Sequence, residues 1–269
     1  MNRLCLAVCI FICFPCHAFT LEPGEIRVDG KPVAGLEFID SFIQRNSLVL
    51  IGPGIYHQGF SIDHDDVTVV ARNAHFKDAA IQGKAAFVVN GDNVSLVGIE
   101  CSEIRVADNN GACVRQQGQN LILRDVYFHH SQQGILQASG TGKLSIISSR
   151  FEHLGKNGRA HAVYANGSEL IIIGSQFIDS KDQGHGIKSR SPLVHILDSV
   201  ISSGSGNDSR LVDMSHGGRL LIENSVLHQG INTVNNQLIG FALEKQLKLA
   251  NQIIIKDSII LAERPRGNR

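Results

Sequence analysis

The sequence predicts an all-β protein: a single right-handed parallel β-helix solenoid of about eight to nine coils with a short N-terminal cap helix. Three recurring features support this fold class: a pair of apolar residues separated by one, a large apolar residue seven positions after the start of the pair, and a turn former in between. The pairs begin 23 to 33 residues apart. A unit of about 25 residues holds only short strands and cannot bury its apolar face alone, so successive units must stack.

The apolar residues define two predicted ladders in the interior. The pairs are Val67/Val69, Val94/Leu96, Leu121/Leu123, Leu144/Ile146, Leu170/Ile172, Val194/Ile196, Leu220/Ile222 and Ile253/Ile255. The large residues that follow them, from the second pair onward, are Cys101, Phe128, Phe151, Phe177, Ile201, Leu227 and Ile260. Equivalent positions on stacked coils lie about 4.8 Å apart, so each set is expected to form a continuous column.

Polar residues recur in the same phase. The turn position, four after the start of each pair from the second pair onward, holds Gly98, Asp125, Ser148, Gly174, Asp198, Asn224 and Asp257. In the later repeats the next position holds Ser149, Ser175, Ser199, Ser225 and Ser258, which predicts a serine ladder. A third strand per coil is predicted at Phe87–Val89, Ile135–Leu136, Val163–Ala165, Ile187–Ser189 and Leu211–Asp213. The repeat signals of leucine-rich horseshoes and of β-propellers are missing.

The chain divides into four predicted parts. Residues 1–18 have the charged start, short apolar stretch and small-residue cleavage site of a signal peptide, although an uncleaved anchor is the alternative. Residues 19–46 form an N-terminal cap, in which Leu36–Arg45 has helical apolar spacing. Residues 47–262 form the β-helix, and residues 263–269 a basic C-terminal tail. The expected product is a soluble monomer, secreted or periplasmic, with no membrane insertion after signal cleavage.

Composition narrows the function classes. Lys plus Arg and Asp plus Glu each total 25, so the formal net charge is zero and a non-specific nucleic-acid or anionic-membrane partner is not expected. Only 6% of residues are aromatic, which predicts an aliphatic core. Four of the six cysteines lie in the signal peptide. The remaining two, Cys101 and Cys113, form either a disulfide or two buried thiols.

Most polar residues between the strands are interpreted as turn residues. Asp63–Asp66, with one histidine among three aspartates, resembles a metal cluster in composition, but its position just before a strand favours turns. His129 and His130 follow a core phenylalanine and are interpreted in the same way. No metal site is therefore assigned.

The segment from Arg159 to Asp213 carries a different pattern. Its three predicted third strands align on Val163, Ile187 and Leu211, which are each 24 residues apart. In that register His161 stacks on His185, and Tyr164 stacks on Lys188 and then on Val212. Because alternate strand residues share a face, Arg190 points the same way as Lys188, and Asp213 ends the next strand. The predicted catalytic residues are Lys188, Arg190, His185, Tyr164, His161 and Asp213.

These residue types suit removal of the proton next to a carboxylate, as in β-elimination or C5-epimerisation of a uronic-acid polysaccharide. Arg190 is expected to hold the carboxylate, because its guanidinium can bind both oxygens. Lys188 or a neutral histidine would abstract the proton, and Tyr164 would donate one. Hydrolysis requires a close pair of carboxylates, and the sequence stacks none. A solvated, non-catalytic row of cations is the alternative.

The repeat over residues 47–262 resembles the right-handed parallel β-helix superfamily that includes pectate lyases, alginate lyases and mannuronan C5-epimerases. Several stretches together resemble a group of uncharacterised exported bacterial β-helix proteins: His161–Tyr164, Gly184–Arg190, Asp213, Gly217–Gly218 and the segment from Asn236 to Glu244. Lys188 and Arg190 match by residue type the lysine base and arginine acid of some β-helix lyases.

The resemblance implies an enzyme acting on an acidic polysaccharide, or a non-catalytic carbohydrate-binding or cell-envelope scaffold. The calcium-binding aspartate sets of pectate lyases are not recognisable. No cofactor is assigned for that reason, and calcium is left open.

Overall fold

The computed structural model describes residues 21–245 and 251–263, which form an all-β parallel solenoid of about seven turns. The predicted signal peptide lies outside the described residues, as does the predicted C-terminal tail after Glu263. No helix among the described residues is long and apolar enough to cross a membrane. The all-β parallel solenoid predicted from the repeat is therefore confirmed, with a helical content of about 3%.

The strands are short, as the period of the repeat requires. In chain order they are β1 (Ile26–Val28), β2 (Lys31–Val33), β3 (Leu48–Ile51), β4 (Gly54–Tyr56), β5 (Phe60–Ile62), β6 (Thr68–Lys77), β7 (Ala85–Val89), β8 (Val94–Ser102), β9 (Ala112–Gln116), β10 (Leu121–Arg124), β11 (Tyr127–His129), β12 (Gln133–Gln137), β13 (Lys143–Ile147), β14 (Arg150–Glu152), β15 (Val163–Ala165), β16 (Glu169–Ile173), β17 (Gln176–Ile178), β18 (Ile187–Ser189), β19 (Leu193–Leu197), β20 (Val200–Ser202), β21 (Val212–Met214), β22 (Arg219–Glu223), β23 (Val226–Gln229), β24 (Ile239–Phe241), β25 (Gln252–Lys256) and β26 (Ile259–Ala262).

Three parallel ladders form the faces of the solenoid. The first face contains β3, the first half of β6 and of β8, then β10, β13, β16, β19, β22 and β25. The second face contains β4, the second half of β6 and of β8, then β11, β14, β17, β20, β23 and β26. The third face is a separate sheet of β5, β7, β9, β12, β15, β18, β21 and β24.

The corner between the first two faces explains the recurring turn former. All seven residues predicted at that position have a left-handed backbone, with φ between +46° and +75°. Asp, Asn and Gly tolerate this conformation better than other residues, which accounts for their recurrence.

The serine ladder follows directly after this corner. The hydroxyl of Ser175 accepts the backbone N–H of Ser149 at 3.1 Å and donates to the carbonyl of Ile173 at 2.9 Å. Ser199 and Ser225 repeat the same two bonds on the next coils.

The interior is filled by the predicted apolar ladders. Phe128, Phe151 and Phe177 stack on successive coils with ring centroids 5.3 and 4.9 Å apart. The aliphatic pairs of the first face are fully buried up to Leu220/Ile222. In the last coil, Ile253, Ile255 and Ile260 are exposed.

The two ends differ from the regular coils. The predicted helix over Leu36–Arg45 is a 3₁₀ helix limited to Leu36–Ser41, which buries Leu36 and Ile39. At this end β1 pairs antiparallel to β2 and to β3. At the other end, β25 and β26 have no third-face strand after them among the described residues. The solenoid has about seven turns, so the expected eight to nine coils are not confirmed.

A disulfide joins Cys101, on the second face, to Cys113, on the third, with their Cα atoms 5.9 Å apart. Both residues are buried. Of the two alternatives that the sequence left open, the structure contains the disulfide.

Candidate active site: a cationic groove on the third face

The third face brings most of the predicted site residues to adjacent strands. Tyr164 of β15 pairs with Lys188 of β18, as the equal spacing predicted. On the next strand the expected register is wrong, because Lys188 pairs with Asp213 and not with Val212. The turn before β21 contains one more residue than the turn before β18. Turn length is free to vary because turns lie outside the stacked core.

His161 and His185 lie in the turns that lead into β15 and β18. Their rings stack with centroids 4.9 Å apart, and the backbone N–H of His185 donates to Nδ1 of His161 at 3.0 Å. Burial, followed by the nearby charges of His185 and Lys188, places the pKa of His161 well below its ordinary value. His161 is therefore neutral and carries its proton on Nε2. It can donate a hydrogen bond there, but its Nδ1 is already used as an acceptor.

His185 and Asp213 form a second, interior contact. Their Nε2 and Oδ2 atoms are 3.4 Å apart, and both side chains are at least nine-tenths buried. Burial lowers the pKa of His185 to about 4, although the carboxylate of Asp213 acts in the opposite direction. Asp213 also accepts from Ser215 at 2.8 Å and lies 3.6 Å from Arg210. Neither His185 nor Asp213 lines the groove described below.

Lys188 and Arg190 converge on one carboxylate. Lys188 donates to Oε1 of Glu244 at 2.6 Å, and the Nε and terminal nitrogen of Arg190 donate to Oε2 at 2.9 and 2.6 Å. Partial burial acts to raise the pKa of Glu244, but the hydrogen bonds from the two cations lower it overall. The site therefore already binds a carboxylate through both of its oxygens.

Tyr164 lies between the buried histidines and these cations. Its ring is 5.9 Å from that of His161, and the guanidinium carbon of Arg190 lies 5.2 Å from its centroid. Burial raises the pKa of the Tyr164 phenol, with Arg190 opposing the shift. The phenol is therefore protonated at neutral pH and can act as a proton donor.

A groove of about 520 Å³ is lined by His161, Tyr164, Lys188 and Arg190, among other residues. Its cationic lining residues are Arg115, Arg159, Lys188 and Arg190, and none of the described lining residues is Asp or Glu. In a chain with zero net charge, this is a local concentration of positive charge. Such a groove favours an anionic ligand.

Comparison with models of protein families finds no match for the chain, and comparison with curated proteins finds none either. Among solved structures, the chain is similar to an alginate lyase, AlyF-OU02, in its complex with G6. The two share 14% sequence identity and a TM-score of 0.41 over 88% of this chain. The chain spans 60% of the length of that lyase.

Three residues of the site were missed by sequence reasoning. Arg115 lies in register with Leu136 on β12, and Leu136 with Tyr164, so the third-face pattern would have found it had β9 been recognised. Arg159 lies in a turn, and Glu244 is 56 residues from Lys188 along the chain. No periodic signal identifies either of those two.

Proposed function

We propose that the protein acts on an acidic polysaccharide of uronic acids that lies along the third-face groove. The observation that carries this proposal is the paired binding of the Glu244 carboxylate by Lys188 and Arg190. This contact lies at the edge of a groove whose described lining residues include four cations and no Asp or Glu. A uronate carries a carboxylate that can accept the same hydrogen bonds from Lys188 and Arg190 as Glu244 does. We place the activity outside the cytoplasm, because the Cys101–Cys113 disulfide is of the kind that persists in oxidising compartments.

The dimensions of the groove favour a polymer over a small anion. Arg115, Leu136, Tyr164 and Lys188 occupy equivalent positions on β9, β12, β15 and β18. Four neighbouring strands extend over about 14 Å, at about 4.8 Å per strand. Arg115 and Lys188 therefore stand at the two ends of this row, far enough apart to contact carboxylates on different residues of a polyuronate.

We propose that the chemistry is β-elimination or C5-epimerisation. The substrate carboxylate takes the place of Glu244 on Arg190, and Lys188 passes its proton to Glu244 and becomes a neutral amine. The amine removes the C5 proton, and the resulting enolate is stabilised by Arg190 and the Nε2 proton of His161. In elimination the electron pair expels the C4 oxygen, which takes the proton of Tyr164. The phenolate then recovers a proton from Glu244.

In epimerisation the C4–O bond stays intact, and C5 of the same enolate takes the proton of Tyr164 from the side opposite Lys188. The phenolate then recovers a proton from Glu244, as in elimination. The two reactions differ in whether the C4–O bond breaks and in whether the Tyr164 proton goes to the C4 oxygen or to C5.

Binding without chemistry is the second candidate. It is favoured by one observation: Lys188 is hydrogen-bonded to Glu244 and Nδ1 of His161 is already an acceptor, so neither nitrogen is ready to abstract a proton. A carbohydrate-binding scaffold would require only the cations.

The test is a panel of alginate, pectate and glycosaminoglycans, scored by ultraviolet absorbance of unsaturated uronate products and by proton NMR for epimerisation. We expect turnover of one polymer, a fall of about 10²–10⁴-fold in kcat for Lys188→Ala, and a rise of about 10-fold or more in KM for Arg190→Ala. The matched control is His195→Gln, which removes a first-face histidine that contacts Glu223 at 3.0 Å.

Polymer binding that depends on Arg190, with no turnover, would identify the scaffold function. Absence of both binding and turnover with every polyuronate would contradict the proposal.

A further inference from the structure

We propose that His75, Glu100 and His129 bind one divalent transition-metal ion, with Zn²⁺ as the reference ion. The three side chains lie on the second face and do not line the groove. This site is therefore independent of the function proposed above. The interpretation of His129 as a turn residue is wrong, because His129 is the last residue of β11.

Strand register brings the three residues together from successive coils. His75 of β6 is directly paired with Glu100 of β8, and His129 of β11 is paired with Ser102, two residues beyond Glu100 on the same face. Nδ1 of His75 and Nε2 of His129 lie 3.6 and 3.2 Å from Oε1 of Glu100. One ligand atom from each residue lies within 4.8 Å of the other two.

These separations suit a metal ion. Zinc binds imidazole nitrogen and carboxylate oxygen at about 2.0–2.2 Å, which places tetrahedral ligand atoms about 3.3 Å apart. Two imidazoles and one carboxylate are a donor set that borderline divalent ions prefer and that Ca²⁺ and Mg²⁺ do not.

The second nitrogen of each histidine is held by another side chain. Nε2 of His75 is 2.7 Å from the hydroxyl of Ser102, and Nδ1 of His129 is 2.8 Å from Nδ1 of His130. Metal-binding histidines usually have such an outer partner, which fixes the ring and the tautomer. In both residues the nitrogen that faces Glu100 is the one left for a metal.

Exposure leaves room for a further ligand. The side chain of Glu100 is 40% exposed, and the two imidazoles are half-buried on either side of it. Three protein ligands with access to water leave a fourth tetrahedral position for a water molecule. The bound ion would also connect three consecutive coils of the second face.

A neighbouring trio, Glu152, His153 and Asp179, also has ligand atoms within 4.8 Å of one another. It supplies one imidazole, whose Nε2 is 3.9 Å from each carboxylate. Glu152 is already bonded to Tyr127 and Arg150, at 2.9 and 2.8 Å. We therefore assign the metal to the trio with two imidazoles.

The experiment is titration of the untagged, chelator-treated protein with Zn²⁺ alone, by calorimetry and by competition with a chromophoric chelator. Co²⁺ is a second probe, because its visible spectrum reports coordination geometry. We expect one ion per chain and a loss of affinity of about 100-fold or more in His75→Gln, Glu100→Gln and His129→Gln.

A further variant, Ser102→Ala, keeps all three ligands and removes the outer partner of His75. We expect it to weaken binding by about 10- to 100-fold. The matched control, His195→Gln, removes an imidazole that contacts Glu223 at 3.0 Å but belongs to neither trio of the described residues. It should bind Zn²⁺ as the wild type does.

Two results would overturn the proposal. One is a Zn²⁺ affinity that is the same in all three ligand variants as in the wild type, or no binding at all. The other is binding that survives His129→Gln but is lost in His153→Gln, which would place the ion at the neighbouring trio. Circular dichroism of each metal-free variant establishes that it is folded.

Discussion

The second and third faces of the solenoid both concentrate ionisable side chains, but they combine them differently. On the third face, Lys188 and Arg190 point outward and share the single carboxylate of Glu244. On the second face, His75 and His129 stand on either side of Glu100. The stacking geometry is the same in both places. The choice of outward-facing side chains decides whether a face attracts anions or cations.

The histidines of the two faces also differ in how deeply they are buried. His161 and His185, beside the groove, are 1% and 6% exposed and stack on each other within the turns. The side chains of His75 and His129 are less buried, 21% and 14% exposed, and each has one nitrogen directed at a carboxylate. A buried neutral imidazole can position a substrate through its N–H, whereas an accessible one can bind a metal ion.

The largest expected effect tests the role of the resident carboxylate on the third face. In Glu244→Gln, Lys188 loses its proton acceptor, so we expect kcat on the polyuronate to fall by about 10²-fold or more. Polymer affinity should stay the same or rise, since the competing anion is gone. Steady-state kinetics and binding assays measure the two effects. An unchanged kcat would show that Glu244 takes no part in the reaction. As a control, the Zn²⁺ affinity of the second face should be the same in Glu244→Gln as in the wild type.

The pH dependence of stability tests the burial of His185 beside the groove. The pKa of His185 is about 4 in the folded chain and about 6.5 in an unfolded one. Between these values only the unfolded chain binds the proton. The free energy of unfolding should therefore be highest above about pH 6.5, decrease as pH falls toward about 4, and then level off.

The decrease due to His185 should be as much as about 3 kcal/mol. Urea unfolding at several pH values should give a flatter profile for His185→Gln than for the wild type. Equal slopes in His185→Gln and wild type would contradict the assignment.

The smallest expected effect concerns the scaffold that both faces share. Ser175→Ala leaves the buried N–H of Ser149 without its acceptor, so we expect a loss of about 1–2 kcal/mol in the free energy of unfolding. Zn²⁺ affinity and polymer turnover at 25 °C should both stay as they are. If Ser175→Ala lowered only Zn²⁺ affinity or only polymer turnover, the serine ladder would stabilise one of the two faces more than the other.

The sequence was sufficient for the features that repeat. The recurring features are Phe128, Phe151 and Phe177, the serine ladder and the left-handed corner. In a solenoid, residues at the same position of successive repeats lie next to each other on neighbouring coils. The pairing of Tyr164 with Lys188 followed from the same rule. These predictions required no knowledge of the turns.

The remainder of the site depends on turn length and on contacts between distant residues. One extra residue before β21 changed the partner of Lys188 from Val212 to Asp213. Glu244 lies 54 residues beyond Arg190, in a segment that follows no repeat. The cluster around Glu100 was missed because His129 immediately precedes a turn, and a position next to a turn does not show which way a side chain points.

The serine ladder also gives the solenoid two chemically unequal ends. Each serine hydroxyl accepts a hydrogen bond from a backbone N–H of the preceding coil. Ser175 accepts from Ser149, and Ser199 accepts from Ser175. A chain shortened from its C-terminal side would leave a serine N–H in the new last coil without its hydroxyl acceptor. A chain shortened from its N-terminal side would leave only a hydroxyl with a free lone pair, still donating to its own strand. Loss of the acceptor for an N–H is the more costly of the two defects, because a hydroxyl that still donates keeps one of its bonds. We therefore expect the removal of a whole coil to cost less stability at the N-terminal end of the ladder than at its C-terminal end.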